Sequence, residues 1–207
     1  MKYPLLSTLF IVALNLFTPS FAQKSGLPYD RFTGEITQTK SVQTGQSRDK
    51  AFNAAKAWIR RTYPNYREVM RVEDAGLGRI VFQDQEPIVS ESFNSFSYRV
   101  QVDIKDGYYN CTINNVKTRN AVSAAYTSAD ADFSNIGMYG KHIDDIGREI
   151  SITKSKKARA KLYQQRRNIK SVLQDYHKSH YLMDLQFTMI QNGLREAVLG
   201  AGSLAVK

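Results

Sequence analysis

The most distinctive chemical feature of the sequence is a basic run between positions 154 and 170. It holds eight lysines and arginines and no acidic residue. Cations clustered in this way gain roughly 1 kcal/mol each near an anionic membrane surface. A merely solvated helix accounts for the run equally well, because charge alone does not distinguish the two. The first interpretation predicts contact with an anionic lipid, a lipopolysaccharide or an acidic glycan through Lys154, Lys156, Lys157, Arg159, Lys161, Arg166, Arg167 and Lys170.

The single cysteine, Cys111, is the second candidate for chemistry. A nucleophilic thiol needs a neighbouring base or a positive field that lowers its pKa. Cys111 alternates with Tyr109 and Ile113, which places it on the apolar face of a strand. The pattern therefore predicts a buried structural cysteine, and an intermolecular disulfide is the alternative.

Histidines and acidic residues are the remaining candidates. His177 and His180 share a helical face, where Asp175 or Asp184 could complete a site for a transition metal. Two histidines without a fixed third ligand are a weak signature, so no metal site is predicted. An enzyme could instead use His142 or the acids of a segment without clear periodicity, which are Asp130, Asp132, Asp144 and Asp145.

The elements that must position these side chains are a sheet and flanking helices. Apolar residues between positions 51 and 62 recur at the spacing of a helix that packs on the sheet. Trp58 is predicted to be the large side chain that anchors this helix on the sheet, and Pro64 ends the helix. Short alternating segments joined by tight turns, such as Asp106-Gly107, predict antiparallel strands. The predicted fold class is α+β, with about five strands at residues 33–42, 67–73, 78–83, 96–105 and 108–116.

The amino terminus has the three parts of an export signal. Lys2 is followed by an apolar core and then by Pro19 and small residues that end at Ala22. We expect cleavage after Ala22 and a periplasmic or extracellular location. No later apolar run is long enough to cross a bilayer.

The predicted organisation of the chain has five parts. They are a signal peptide (1–22), a sheet-and-helix domain (23–117), an irregular loop (118–153), a basic and then amphipathic helical extension (154–199) and a tail (200–207). One helix across the whole extension would be longer than the domain. We therefore expect a break near Lys178 to Tyr181 or a helix that projects from the body.

The overall charge favours anionic partners. The formal net charge is +10. For an exported protein, lipid headgroups, lipopolysaccharide or acidic glycans are the expected anions, and nucleic acid is not expected. No nucleotide-binding glycine loop, nucleophile elbow or zinc signature occurs, so no cofactor is predicted.

Four segments of the sequence together resemble a known family. They read SRDKAFNAAKAWIRRTY, GRIVFQ, FSYRVQVDIKDGYYNCTINNV and YLMDLQFTMIQNGLREAV. The chain resembles exported Bacteroidetes-type proteins of domain of unknown function 4468, which have a TATA-box-binding-protein-like (TBP-like) fold. The resemblance covers roughly residues 33–117 and part of the last helix. It implies a curved antiparallel sheet packed on a helix, and it implies no known activity or site residue.

The functional prediction is a non-enzymatic exported protein of the cell envelope that acts as a binding or scaffolding module, with a protein partner not identified by the sequence. One alternative is a binder of a small ligand or lipid that uses a cavity between sheet and helix. The other is an enzyme that uses the loop carboxylates. The first alternative requires a hollow interface, and the second requires polar groups that converge in one cleft.

Overall fold

A computed structural model describes Leu27, residues 35–122 and residues 125–203. The predicted signal peptide, residues 1–22, lies outside the described residues. The elements in chain order are β1 (Gln38–Gln43), α1 (Arg48–Thr62), α2 (Tyr66–Val69), β2 (Met70–Asp74), β3 (Arg79–Pro87), β4 (Phe93–Lys105), β5 (Tyr108–Asn120), β6 (Tyr126–Ser128), α3 (Asp130–Ile152) and α4 (Lys156–Ser203).

The strands form one curved, six-stranded antiparallel sheet, which confirms the predicted α+β class. Their order is β1-β5-β4-β3-β2, and β6 pairs with the end of β5. The central hairpin joins two strands of 13 residues, β4 and β5. Its turn is the predicted Asp106-Gly107, where Gly107 has a φ of 83°. A side chain at this φ would be strained, so glycine suits the position.

The two faces of the sheet differ in polarity. On β4, Val100, Val102 and Ile104 are buried beneath the helices. The alternate residues, among them Arg99 and Asp103, lie on the opposite face. This alternation confirms the predicted strand at residues 96–105.

Helix α1 is held against the hairpin and the core at its beginning. Ala51 and Ala55 are fully buried, and their small side chains allow the helix backbone to approach its neighbours closely. The Asp106 carboxylate accepts a hydrogen bond of 2.8 Å from the backbone N–H of Arg48. This bond satisfies one of the free donors at the start of the helix. It also connects the helix to the β4–β5 turn.

Trp58 connects α1 to α4. The indole is 8% exposed and makes an edge-to-face contact with Tyr63. A Cβ atom at Gly193 of α4 would lie only 2.6 Å from the Trp58 ring, so the glycine leaves the space that the indole occupies. The anchoring role, which was predicted for the sheet, thus also involves a second helix, α4.

Helix α4 is continuous over 48 residues, which corresponds to a length of about 72 Å. Of the two alternatives predicted for this segment, the break near Lys178 to Tyr181 is therefore wrong. Side chains in its second half belong to the same core as the sheet, including Tyr176, Met183, Phe187, Ile190 and Leu194. The segment predicted as an extension thus supplies part of the domain core, because α1 alone covers only part of the apolar sheet face.

Residues 118–153 are not an irregular loop, in contrast to the prediction. Strand β5 continues to Asn120, and β6 and the 23-residue helix α3 follow. Glycine within a helix costs roughly 1 kcal/mol relative to alanine, so the glycines of α3 conceal its helical character in the sequence. α3 is stabilised by packing against α4, and Ile143, Ile146 and Ile150 are its buried residues in the part where side chains are described.

Candidate functional site

The basic run lies along the first part of α4 and just before it. Arg166 is partly buried, and the other seven cations are solvent-exposed. α3 packs against α4, and α3 carries the acids Asp144, Asp145 and Glu149.

Four of the exposed cations form a single line on α4, which we call the basic stripe. Its members are three or four residues apart, so they lie on one face of the helix. Tyr163 lies within this line and is 54% exposed. The basic stripe consists of Lys156, Arg159, Tyr163, Arg167 and Lys170.

Arg166 lies at the edge of the basic stripe that is next to α3, three residues from Tyr163 and four from Lys170. A Cβ atom at Gly147 would be 3.4 Å from the nearest guanidinium nitrogen of Arg166, so the glycine permits a close approach. Arg166 thus contributes to the contact between the two helices, and the exposed stripe residues remain available to a partner.

Cys111 is buried, as predicted. Its side chain is 1% exposed, and it lies opposite Lys40 on β1 and Val102 on β4. Burial raises the pKa of the thiol to about 12, although the Lys40 ammonium acts in the opposite direction. A thiolate is therefore strongly disfavoured, and the burial supports a structural role.

The two neighbouring histidines are in different environments. His180 is fully buried, and burial with a smaller effect of His177 lowers its pKa to about 4. His177 is exposed. Within the described residues, no group of three or more His, Cys, Asp or Glu side chains is arranged to hold a metal ion.

Asp175, the proposed companion of the histidines, has a structural task instead. Its carboxylate accepts hydrogen bonds from the Ser90 hydroxyl at 2.7 Å and the Ser92 backbone N–H at 2.8 Å. These bonds hold the pKa of Asp175 below its usual range, even though desolvation acts in the opposite direction. Asp175 therefore connects α4 to the β3–β4 loop.

The residues proposed for an enzyme are only partly brought together. His142 and Asp145 line an open depression of 430 Å³ beside α3, together with Lys141. Asp145 forms an ion pair with Arg148, and Asp144 is exposed on α3. The side chains of Asp130 and Asp132 lie outside the described part of the structure. Of the carboxylates proposed for an enzyme, the two with described side chains are Asp144 and Asp145. Both lie on the surface of α3, so they do not converge with other elements in a cleft.

A polar cluster that the sequence prediction missed lies beneath α4. Asp84 and Glu86 continue the face of β3 that carries buried Ile80 and Phe82. This period of two was visible in the sequence, but the strand was predicted to end at residue 83. The carboxylate–tyrosine cluster consists of Tyr63, Asp84, Glu86, Tyr98 and Gln186.

Hydrogen bonds and charge connect this cluster. The Gln186 amide donates to the Glu86 carboxylate at 3.1 Å and lies 3.5 Å from the Tyr98 hydroxyl. Burial raises the pKa of both carboxyl groups, and the charge of Asp84 raises that of Glu86 further. Burial also raises the pKa of Tyr63 and Tyr98, so both phenols remain neutral.

Replacing Glu86 with glutamine is expected to raise the melting temperature at about pH 7. A carboxyl whose pKa is raised by folding binds its proton more tightly in the folded state, so its ionisation destabilises the fold. This penalty is fully present at neutral pH and disappears as the pH falls towards the ordinary glutamate pKa of about 4.3. The glutamine side chain keeps an oxygen that can accept the hydrogen bond from the Gln186 amide. Thermal melts of wild type and Glu86→Gln at about pH 7 and at about pH 4.3 measure the difference in melting temperature.

Exposed Glu196 on α4 provides the matched control. Glu196→Gln should change the melting temperature little at either pH. Equal melting temperatures for wild type and Glu86→Gln at neutral pH would contradict an unfavourable buried charge.

The fold defines the class of protein: an α+β domain in which helices pack on one face of an antiparallel sheet. Residues 39–119 match the family model described as a domain of unknown function (DUF4468) with TBP-like fold. Residues 39–119 are therefore similar to the DUF4468 family, and the family resemblance predicted from the sequence is confirmed over this part of the chain. A comparison with curated proteins finds no match.

Solved structures of two bacterial proteins are similar to the chain. One is a TBP-like protein from Parabacteroides distasonis ATCC 8503, with 14% identity, a TM-score of 0.49, and coverage of 82% of this chain and 97% of that chain. The other is a DUF4468 family protein from Bacteroides ovatus ATCC 8483, with 12% identity, a TM-score of 0.49, and coverage of 81% of this chain and 90% of that chain.

Proposed function

We propose that this chain is an exported, non-enzymatic binding module of the cell envelope that contacts an anionic component through the basic stripe. The observation that supports the proposal is the arrangement of Lys156, Arg159, Arg167 and Lys170 on one exposed face of α4. The other side of this part of α4 packs against α3. The cations are therefore presented together on a rigid helix, at a low entropic cost of arranging them.

The interior of the domain disfavours the alternative of a ligand cavity between sheet and helix. Tyr98, Met183, Phe187 and Leu194 are fully buried and belong to one continuous core. The aromatic ring of Phe187 contacts both Phe96 and Tyr98. These side chains occupy the described interface, and two open depressions of the described surface lie elsewhere, beside α3 and beside the β3–β4 loop.

The arrangement of charge on the open sheet face does not favour nucleic acid. Arg79 on this face forms an ion pair with Asp103 at 2.6 Å, and Gln101 donates to the same carboxylate. A surface that follows a phosphate backbone needs an excess of unpaired cations. The basic stripe therefore remains the better candidate for an anionic partner.

Sedimentation with vesicles that contain phosphatidylglycerol tests the proposal. The wild-type protein should bind at about 0.1 M salt and be largely released at about 1 M salt, because the Debye length falls from about 10 Å to about 3 Å. A variant with four stripe cations changed to glutamine should bind at least about tenfold more weakly, since each cation contributes roughly 1 kcal/mol. The changes are Lys156→Gln, Arg159→Gln, Arg167→Gln and Lys170→Gln.

A control variant removes the same number of exposed charges from the sheet domain. It carries Arg61→Gln, Arg67→Gln, Lys105→Gln and Lys117→Gln. The control should bind nearly as well as wild type. Equal weakening of the two variants would mean that only net charge matters, and the basic stripe would then have no specific role.

The export part of the proposal has a separate test. The first 22 residues carry the features of a signal peptide. Intact mass measured on protein recovered from the native host should correspond to a chain that begins at Gln23. Recovery of the full-length chain from the cytoplasm would contradict export.

A further inference from the structure

The second half of α4 exposes a line of apolar side chains. Tyr181, Leu185 and Met189 are 52%, 44% and 59% exposed. They are four residues apart, so they lie in one row along the helix. On the opposite side of the same turns, Met183, Phe187 and other residues are buried in the core. We call this row the apolar stripe.

The apolar stripe continues the basic stripe along the same helix. Gln174 and Lys178 lie between the two, at spacings of three or four residues from their neighbours in the row, and both are exposed. α4 is one unbroken helix over this distance. Its exposed side therefore presents cations with one tyrosine over the first part and apolar groups over the second.

We infer that the anionic partner is the surface of a lipid bilayer, on which α4 lies with its exposed side towards the lipid. This inference rests on the proposed function and makes its partner specific. Basic residues attract anionic headgroups, and apolar side chains of an interfacial helix enter the boundary between headgroups and acyl chains. Tyrosine is favoured at this boundary because its ring is apolar and its hydroxyl is polar, which suits both Tyr163 and Tyr181.

Two other occupants explain less of this surface. A soluble acidic polymer would contact the cations and leave Leu185 and Met189 in water. A second copy of the chain would bury the apolar stripe, but three half-exposed side chains fall far short of the about 800 Å² that each partner contributes to a standard interface. A bilayer accounts for both stripes together.

A fluorescent label on Met189→Cys tests the depth of insertion. Cys111 is buried, so a polarity-sensitive thiol dye such as NBD reacts selectively with the introduced cysteine. Ser41→Cys is the matched control. Ser41 is exposed on β1, and its neighbour Lys40 faces α4 through a hydrogen bond to Asn192, so Ser41 points away from α4.

The label at position 189 should shift to the blue and become brighter with phosphatidylglycerol vesicles, and the label at position 41 should not. A solution of dextran sulfate, which offers anionic groups without an apolar phase, should leave both labels unchanged. The double variant Leu185→Gln and Met189→Gln should bind the vesicles about tenfold more weakly, because the lost side chains no longer leave water. Its binding to dextran sulfate should equal that of wild type.

The outcomes separate this inference from the proposed function. If wild type sediments with the vesicles but the label at position 189 does not respond, the contact is electrostatic only, and the bilayer inference is wrong while the proposed function stands. If wild type binds neither vesicles nor dextran sulfate at low salt, the proposed function itself fails. If the double variant converts a dimer to a monomer in analytical ultracentrifugation, the apolar stripe is an interface between copies, which also overturns the inference.

Discussion

Replacing Trp58 with alanine is expected to lower the free energy of unfolding by about 3–5 kcal/mol, the usual cost of removing a buried aromatic side chain. The indole is nearly buried and fills the space between Tyr63 and the backbone of α4 at Gly193. Its removal leaves a cavity where two helices meet. Urea unfolding monitored by circular dichroism measures the change.

Gly193→Ala tests the same contact from the other side. An added methyl group would lie 2.6 Å from the Trp58 ring, so the helices must separate or the indole must move. We expect a loss of about 1–3 kcal/mol, as for other overpacked cores. Gly137→Ala on α3 is the control, because a methyl group added there would have no neighbouring atom within 4 Å, and it should gain about 0.5–1 kcal/mol of helix propensity. Similar effects of the two alanines would contradict the Trp58–Gly193 contact.

Replacing Phe187 with alanine is expected to cost about 3–5 kcal/mol and to leave a single unfolding transition. Phe187 is fully buried and contacts Phe96 and Tyr98 of β4 edge-to-face. Because these contacts join α4 to the sheet, the two should unfold as one cooperative unit. Urea unfolding followed by far-ultraviolet circular dichroism and by Trp58 fluorescence should give coincident curves.

Thr188→Ala is the matched control, since Thr188 is the exposed neighbour of Phe187 on the same helix. Its stability should remain close to that of wild type. If Phe187→Ala has no larger effect than Thr188→Ala, or if the two probes report separate transitions, residues 154–199 form an extension independent of the sheet. That result would support the predicted division into a sheet-and-helix domain and a separate extension, and it would contradict a core shared by the two.

The sequence alone was sufficient where local pattern and turn chemistry decide the structure. Alternation in β4 and β5 predicted the central hairpin, and Asp106-Gly107 predicted its turn, because side-chain period and positive φ are properties of a few neighbouring residues. The same alternation predicted the burial of Cys111. The basic run was equally visible, since it depends only on residue type.

Only the tertiary structure decided how distant segments share a core. Helix α3 was hidden because its glycines weaken the helical pattern, and its packing partner lies on α4. The sequence left open whether α4 breaks near Lys178 to Tyr181 or projects as one helix, because a helix longer than its domain is stabilised by packing against α3 and the sheet at different points along its length. Which cations are exposed and which side of α4 carries both stripes depend on these contacts. Sequence determines the types and local spacing of the residues, but the surface they form arises from burial between elements that are far apart in the chain.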